Sequence, residues 1–307
     1  MDSIITFVCI FGIICAILTI FLNINLVFRI VLNKNRRVEE MILFYYRFVL
    51  DIFFGFCLFL YILYIQLSIN YPDDMITYRP LIVYLALPWS NFGACRSIIA
   101  LSISTERVMA AYFPLKYRSY RLRFLNLIIL SLAISFGLSE WPVLFGFCSY
   151  QMAIPSSCRV FGCAMNKCFY NFWTGHKTII FSTIVILSVI LSIRLFIWNN
   201  LKTGKKNQKL SRANRLALLD TVTVLIFDFL PSFCGNLWPT FPLFNFDNVG
   251  PYNAVGKVIG CAIEASVVST VLLPGTRPSA AEKSSSRKAT VIKNSEAKSQ
   301  VFRLRAH

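Results

Sequence analysis

S-T-E-R-V-M-A-A-Y-F-P-L-K-Y, residues Ser104 to Tyr117, closes a long apolar run that starts near residue 81. It carries an adjacent Glu106–Arg107 pair and leaves through Pro114 into Lys116, Arg118, Arg121 and Arg123. Ionisable residues within membrane segments are costly and mark function, so this junction of apolar helix, ion pair and basic loop is the place to work outward from. Composition supplies the membrane. The 307 residues are 56% hydrophobic and only 15% charged, with a mean hydropathy of +0.62. A soluble domain of this size exposes far more charge.

About 20 apolar residues are needed to cross a bilayer as a helix. Seven such windows lie at about 4–32, 41–69, 81–112, 124–149, 177–199, 215–235 and 252–273. The expected fold is an all-α membrane protein, a seven-helix transmembrane bundle over residues 1–273 followed by a disordered cytoplasmic tail at 274–307. Only Met1, Asp2 and Ser3 precede the first run, with no basic leader or small-residue cleavage site. The run is therefore expected to stay as a signal anchor.

Orientation follows from where Lys and Arg fall. The connections after spans 1, 3 and 5 and the tail hold most of them, including Lys34, Arg36, Arg37, Lys202, Lys205, Lys206, Lys209 and Arg212. The opposite loops carry Arg79, Arg159, Lys167 and Lys177 beside Asp73, Asp74 and Asp247. The N-terminus is expected outside and the C-terminus in the cytoplasm. The excess of 31 basic over 14 acidic residues then reads as cytoplasmic loops facing anionic membrane lipid, with no nucleic-acid partner. The tail's Ser284, Ser285, Ser286 and Thr290 offer phosphorylation sites.

Two histidines in the whole chain leave little for metal or imidazole chemistry, and neither a metal nor another cofactor is expected. Cys148, Cys158, Cys163, Cys168 and Cys234 fall on the outer side, where disulfides persist, and are the disulfide candidates. Their pairing is open.

An ionisable group at mid-bilayer should face the bundle and have a partner. Asp51 lies ten residues into span 2, and Arg96 eleven residues before Arg107. At about 1.5 Å per residue they share a depth, and a buried Asp51–Arg96 bridge is expected. Double charge reversal would then rescue either single reversal. The competing partner for Asp51 is Arg47, one turn below. In span 6 the stretch F-D-F-L-P-S-F places Phe229 and Pro231 at a bend, because proline leaves a carbonyl without its donor. Asp228, Lys257, Trp89 and Trp141 are the candidate lining of an outward ligand cavity. The competing reading is interfacial anchoring for the tryptophans and a structural bridge for Asp228 and Lys257.

These residues resemble a known group. E-R-V at 106–108, with P-L-K-Y beginning at Pro114, is similar to the Asp/Glu-Arg-Tyr signature and second-loop proline of rhodopsin-like receptors. Asn23 with Asp51 is similar to that family's polar pair on its first two helices, and F-L-P at 229–231 to its Trp-x-Pro bend. F-W-T-G-H-K-T-I-I-F (172–181), S-R-A-N-R-L-A-L-L-D (211–220), F-D-F-L-P-S-F (227–233) and G-P-Y-N-A-V-G-K-V-I-G-C-A-I-E-A (250–265) resemble the Srbc class of nematode serpentine chemoreceptors, over about Met41 to Leu273. The resemblance implies a multi-pass receptor in the plasma membrane of sensory cilia. It would bind a small odorant or soluble chemical and activate a heterotrimeric G protein through Glu106, Arg107, Pro114 and Leu115. Pairing with a second receptor is left open. Departures from the rhodopsin-like pattern are the missing cysteine at the outer end of span 3 (Ile82 stands there), Arg96 in place of a serine, no Asn-Pro-x-x-Tyr in span 7, and no acid at the start of span 6. With those partners gone, Glu106 is the one evident restraint on Arg107, which leads to an expectation of raised basal signalling.

A ligand-gated channel or small-molecule transporter is the alternative, since mid-depth charges also line ion paths. Against it, no internal repeat is visible and an odd span count divides badly into halves. An enzyme is not expected, because no span carries a histidine for a Ser–His dyad.

Overall fold

The computed structural model describes residues 2–33, 41–115, 117, 123–155, 158, 160–201, 208–237 and 251–272. Met1–Ser269 form one unit, the one set out below. Of the second, Thr270–His307, only the end of the last helix is described. The tail at 274–307, the basic stretches 34–40, 118–122 and 202–207, and the Gly/Pro/Asn-rich stretch 238–250 lie outside the described residues.

Everything regular among the described residues is helical. In hydrocarbon a backbone must satisfy its own hydrogen bonds, and a helix does so within one segment. Helix α1 is Asp2–Leu26, continued by a π-helical turn at Val27–Val31; α2 is Ile42–Asn70 and α3 is Leu81–Tyr112. Helix α4 is Arg123–Leu138, extended by Glu140–Pro142 and a π-helical turn at Val143–Phe147. A single helical turn at Phe161–Ala164 precedes α5, Lys167–Leu201. Helix α6 has three parts: Gln208–Thr223, a π-helical turn at Val224–Phe229, and Leu230–Leu237. Helix α7 is Tyr252–Leu272.

Among the described residues five helices are long and apolar enough to cross a membrane: Ser3–Val31, Ile42–Asn70, Leu125–Phe147, Lys167–Ile197 and Tyr252–Leu272. The two that fall short, α3 and α6, carry polar groups that the fold turns inward. Asn91, Arg96, Ser97, Ser104 and Arg107 of α3, and Asp220, Thr223 and Asp228 of α6, are all buried. Helix α3 is central, packing against α2, α4 and α5. It meets α4 at Gly137, where a β-carbon would collide with Cys95 Sγ and the Asn91 carbonyl.

The expected start of span 5 at 177 is corrected to Lys167. Asn166 Oδ1 accepts the Phe169 backbone N–H at 3.0 Å, the geometry of a helix N-cap. Its Nδ2 donates to the Cys148 carbonyl at 2.9 Å, which ties the new helix to the end of α4. Lys177, counted from sequence among loop residues, therefore sits ten residues inside a helix and is buried. His176 also lies within α5, so a histidine is present in a candidate span after all.

Disulfides join Cys148 to Cys168 and Cys158 to Cys163. Cys234 is free, which removes it from the candidate set.

Candidate functional site

Seven buried charges converge in the middle of the bundle. Arg47 of α2 pairs with Asp220 of α6 and, at 2.5 Å, with Glu264 of α7. Arg96 of α3 has Asp51 of α2 at 2.9 Å from Nε, Glu264 at 3.1 Å from Nη2 and Asp228 of α6 at 3.3 Å from Nη1. Lys257 of α7 reaches Asp228 at 3.7 Å. Three cations thus face four carboxylates, and four helices are tied through buried side chains. Guanidinium suits the role because its fixed fork of donors serves several carboxylates at once. Asp51 and Arg96 are therefore in contact, but as part of a larger network, and Arg47 is directed to Asp220 and Glu264. Asn23 donates to the Thr19 carbonyl of its own helix at 2.9 Å.

The π-helical turn of α6 is built into this cluster. Pro231 has no N–H to give the carbonyl of Phe227, four residues back. The wide turn Val224–Phe229 lies immediately before it and carries Asp228. Helix α7 faces that carbonyl with glycine: a β-carbon on Gly256 would stand 3.3 Å from the Phe227 oxygen, and one on Gly260 would stand 3.0 Å from Phe227 Cβ. Phe229 stacks on Phe233 with ring centroids 5.2 Å apart.

The four residues expected to line an outward cavity have different surroundings among the described residues. Asp228 and Lys257 line a void of about 10 Å³ whose walls include neither tryptophan. Trp89 is buried among Phe54, Tyr61, Phe161 and Trp173, with ring centroids 5.6–6.4 Å away. The Phe161 backbone N–H donates to Tyr61 Oη at 2.8 Å, and Tyr150 Oη donates to the Ala164 carbonyl at 2.7 Å. The loop turn is thereby pinned over the bundle as an aromatic plug. The anchoring reading for Trp89 fails for the same reason, since its ring is in the core.

Trp141 belongs to a second polar centre that sequence reasoning missed. With the Asn91 amide oriented to satisfy both its ends, its oxygen accepts from Trp141 Nε1 at 2.8 Å. Its nitrogen then donates to Glu140 Oε2 at 3.1 Å. Glu140 is buried, 3.8 Å from Lys177 Nζ and 3.9 Å from His176 Nε2. Lys177 also lies 3.8 Å from the Trp173 ring centroid, a cation–π contact, and donates to Ser90 Oγ at 3.3 Å. His176 Nδ1 sits 2.7 Å from the Phe172 carbonyl. A carbonyl only accepts, so Nδ1 carries the proton. The available signal was a glutamate and a lysine inside otherwise apolar windows, hidden for Lys177 by the misplaced start of α5.

At the far end of α3, Arg107 is 1% exposed. Glu106 Oε2 lies 3.8 Å from its Nη2, the Phe44 ring centroid lies 6.0 Å from its Cζ, and Tyr117 Oη donates to Glu106. The expectation that Glu106 alone restrains Arg107 is corrected: α2 covers it and Tyr117 fixes the glutamate. Pro114 and Leu115 are exposed, Leu115 at 86%.

Among the described residues no cluster of His, Cys, Asp or Glu could hold a metal ion. No curated protein matches the chain. The model of the serpentine type 7TM GPCR chemoreceptor Srbc family matches residues 1–276, so the likeness includes α1 as well as the stretch read from Met41 onward. The bundle with its buried charge network is therefore that of a membrane-embedded serpentine chemoreceptor, and the chain belongs to the Srbc family.

Proposed function

We propose that the protein crosses the membrane seven times, with its N-terminus outside, and couples a small chemical to a heterotrimeric G protein. The family supports a receptor of this general type. The inward burial of the polar groups of α3 and α6 supports their being spans, because the exposed Tyr84 and Met109 of α3 and Val222, Ile226 and Leu230 of α6 suit lipid. Most Lys and Arg fall in the connections after the first, third and fifth spans and in the tail, which supports the orientation.

The observation that carries the reading is the charge network. It joins α2, α3, α6 and α7 midway between the plugged end and Arg107. A ligand acts only through its difference in affinity for two states. Here the two states are two pairings of this network. In the resting state Arg96 holds Asp228 and α6 is drawn in. In the active state the part of α6 before Pro231 swings out and Arg107 turns into the opened cleft to meet the Gα subunit. The test is expression with a panel of Gα subunits and a screen of volatile and water-soluble chemicals. Arg107→Ala should reach the surface and lose the response; an unchanged response would overturn the coupling route.

A further inference from the structure

A cavity of about 560 Å³ opens on the flank of the bundle between α2, α3 and α4. Its walls include Val49 and Phe53 of α2, Phe92 and Cys95 of α3, and Ile134 and Leu138 of α4. Val49, Phe53, Ile134 and Leu138 are exposed on the face that meets hydrocarbon, so the mouth opens to the bilayer. The volume falls within the range of small-molecule sites, roughly 300–1,000 Å³.

The wall asks for no charge and little hydrogen bonding. Asn91 lines it, but both ends of its amide are committed to Trp141, Glu140 and the Gly137 carbonyl. At the loop end Phe161 packs on Trp89, and the void beside Asp228 and Lys257 has room for about one water molecule.

The cavity also backs onto the charge network. Val49, Leu50 and Phe53 face it, while Arg47 and Asp51 on the same turns of α2 enter the network. On α3, Cys95 lines the wall and the next residue is Arg96.

We propose that this cleft is a binding site for a small, uncharged, apolar molecule that arrives through the hydrocarbon phase rather than from water. That its occupancy is read as a signal rests on the receptor function proposed above; its binding does not. A phospholipid acyl chain has the same chemistry, and the test separates the two.

Purified receptor in phosphatidylcholine nanodiscs is irradiated with hexyl-diazirine, and labelled peptides are mapped with and without n-hexane as competitor. Label is expected on the α2 and α4 walls, displaced by n-hexane. It should fall about tenfold in Ile134→Trp and in Val49→Phe, which fill the cleft from opposite sides. Phe21→Trp, on the exposed face of α1, should leave it unchanged, and thermal melting identifies any variant that has not folded. Even labelling of every lipid-facing helix, or label unchanged in a folded Ile134→Trp, overturns the proposal. So does a parallel arm in which a diazirine-bearing phosphatidylcholine occupies the cleft and n-hexane does not displace it. Because no G protein is present, a labelled cleft in a receptor that fails to signal would count against the receptor reading alone.

Discussion

Arg47 shows most directly what a buried charge demands. It is fully enclosed, with Asp220 and Glu264 as its partners. Replacing it by alanine takes the cation from Asp220 and leaves Glu264 to Arg96 alone, and breaking such a buried pair costs about 3–5 kcal/mol. Arg47→Ala should lower surface-delivered receptor by more than tenfold, read by an extracellular epitope tag. Arg96 leads to a revised expectation. A two-member bridge would be rescued by exchanging Asp51 and Arg96, but Arg96 also serves Asp228 and Glu264. The exchanged aspartate would face both, so the double reversal should express no better than either single variant. At Arg107 the restraint is shared, and unliganded signalling should be low. Glu106→Gln should raise it, measured as nucleotide exchange on a co-expressed G protein. No change would mean that burial against α2, not the ion pair, holds the arginine.

At the scale of elements, the helices were legible because a membrane segment is announced by its own residues. The third stretch, read as about 81–112 from its apolar residues and its exit through Pro114, is the helix Leu81–Tyr112, although it falls short of the five most apolar helices. Span 5 starts ahead of its apolar window because Lys167, Asn171, Gly175 and His176 lower the local apolar signal, while Asn166 caps the helix. That offset concealed Lys177 and with it the Glu140 centre. Charges at mid-depth were visible as costly, and Asp51 and Arg96 could be set at one depth. Their further partners were not visible, since Asp220, Asp228 and Glu264 approach only when α6 and α7 dock. Nor could the π-helical turn be read: it is a response to Pro231 and to the glycines of α7 rather than a property of Val224–Phe229 alone. Gly260→Leu should therefore push α7 off Phe227 and destabilise by about 1–3 kcal/mol. Thermal melting of the purified receptor would read this; an unchanged melt would show that α6 can yield there.

For the whole molecule, the plugged end and the Arg107 end can be tested apart. The bridges Cys148–Cys168 and Cys158–Cys163 hold the loop that carries Phe161 over Trp89. Cys148→Ser with Cys168→Ser should weaken ligand response and thermal stability together while leaving Arg107 in place. A fully responsive double variant would show that the plug is dispensable for recognition.

The wide separation in sequence of Arg47 and Glu264 has a consequence for how the protein is made. The two are 217 residues apart. At roughly 5–20 residues per second a ribosome needs about 10–40 s to supply the second after the first. Until Asp220 is made, and Glu264 after it, α2 stands in or beside the translocon with a cation whose partners in the folded bundle are missing. Helices α3 and α6, the least apolar of the set, are equally poor at remaining in lipid alone. Biogenesis must therefore depend on something that shelters half-built intermediates, and chains truncated before α6 should be held in the endoplasmic reticulum and degraded, seen as loss of pulse-labelled protein without delivery to the surface.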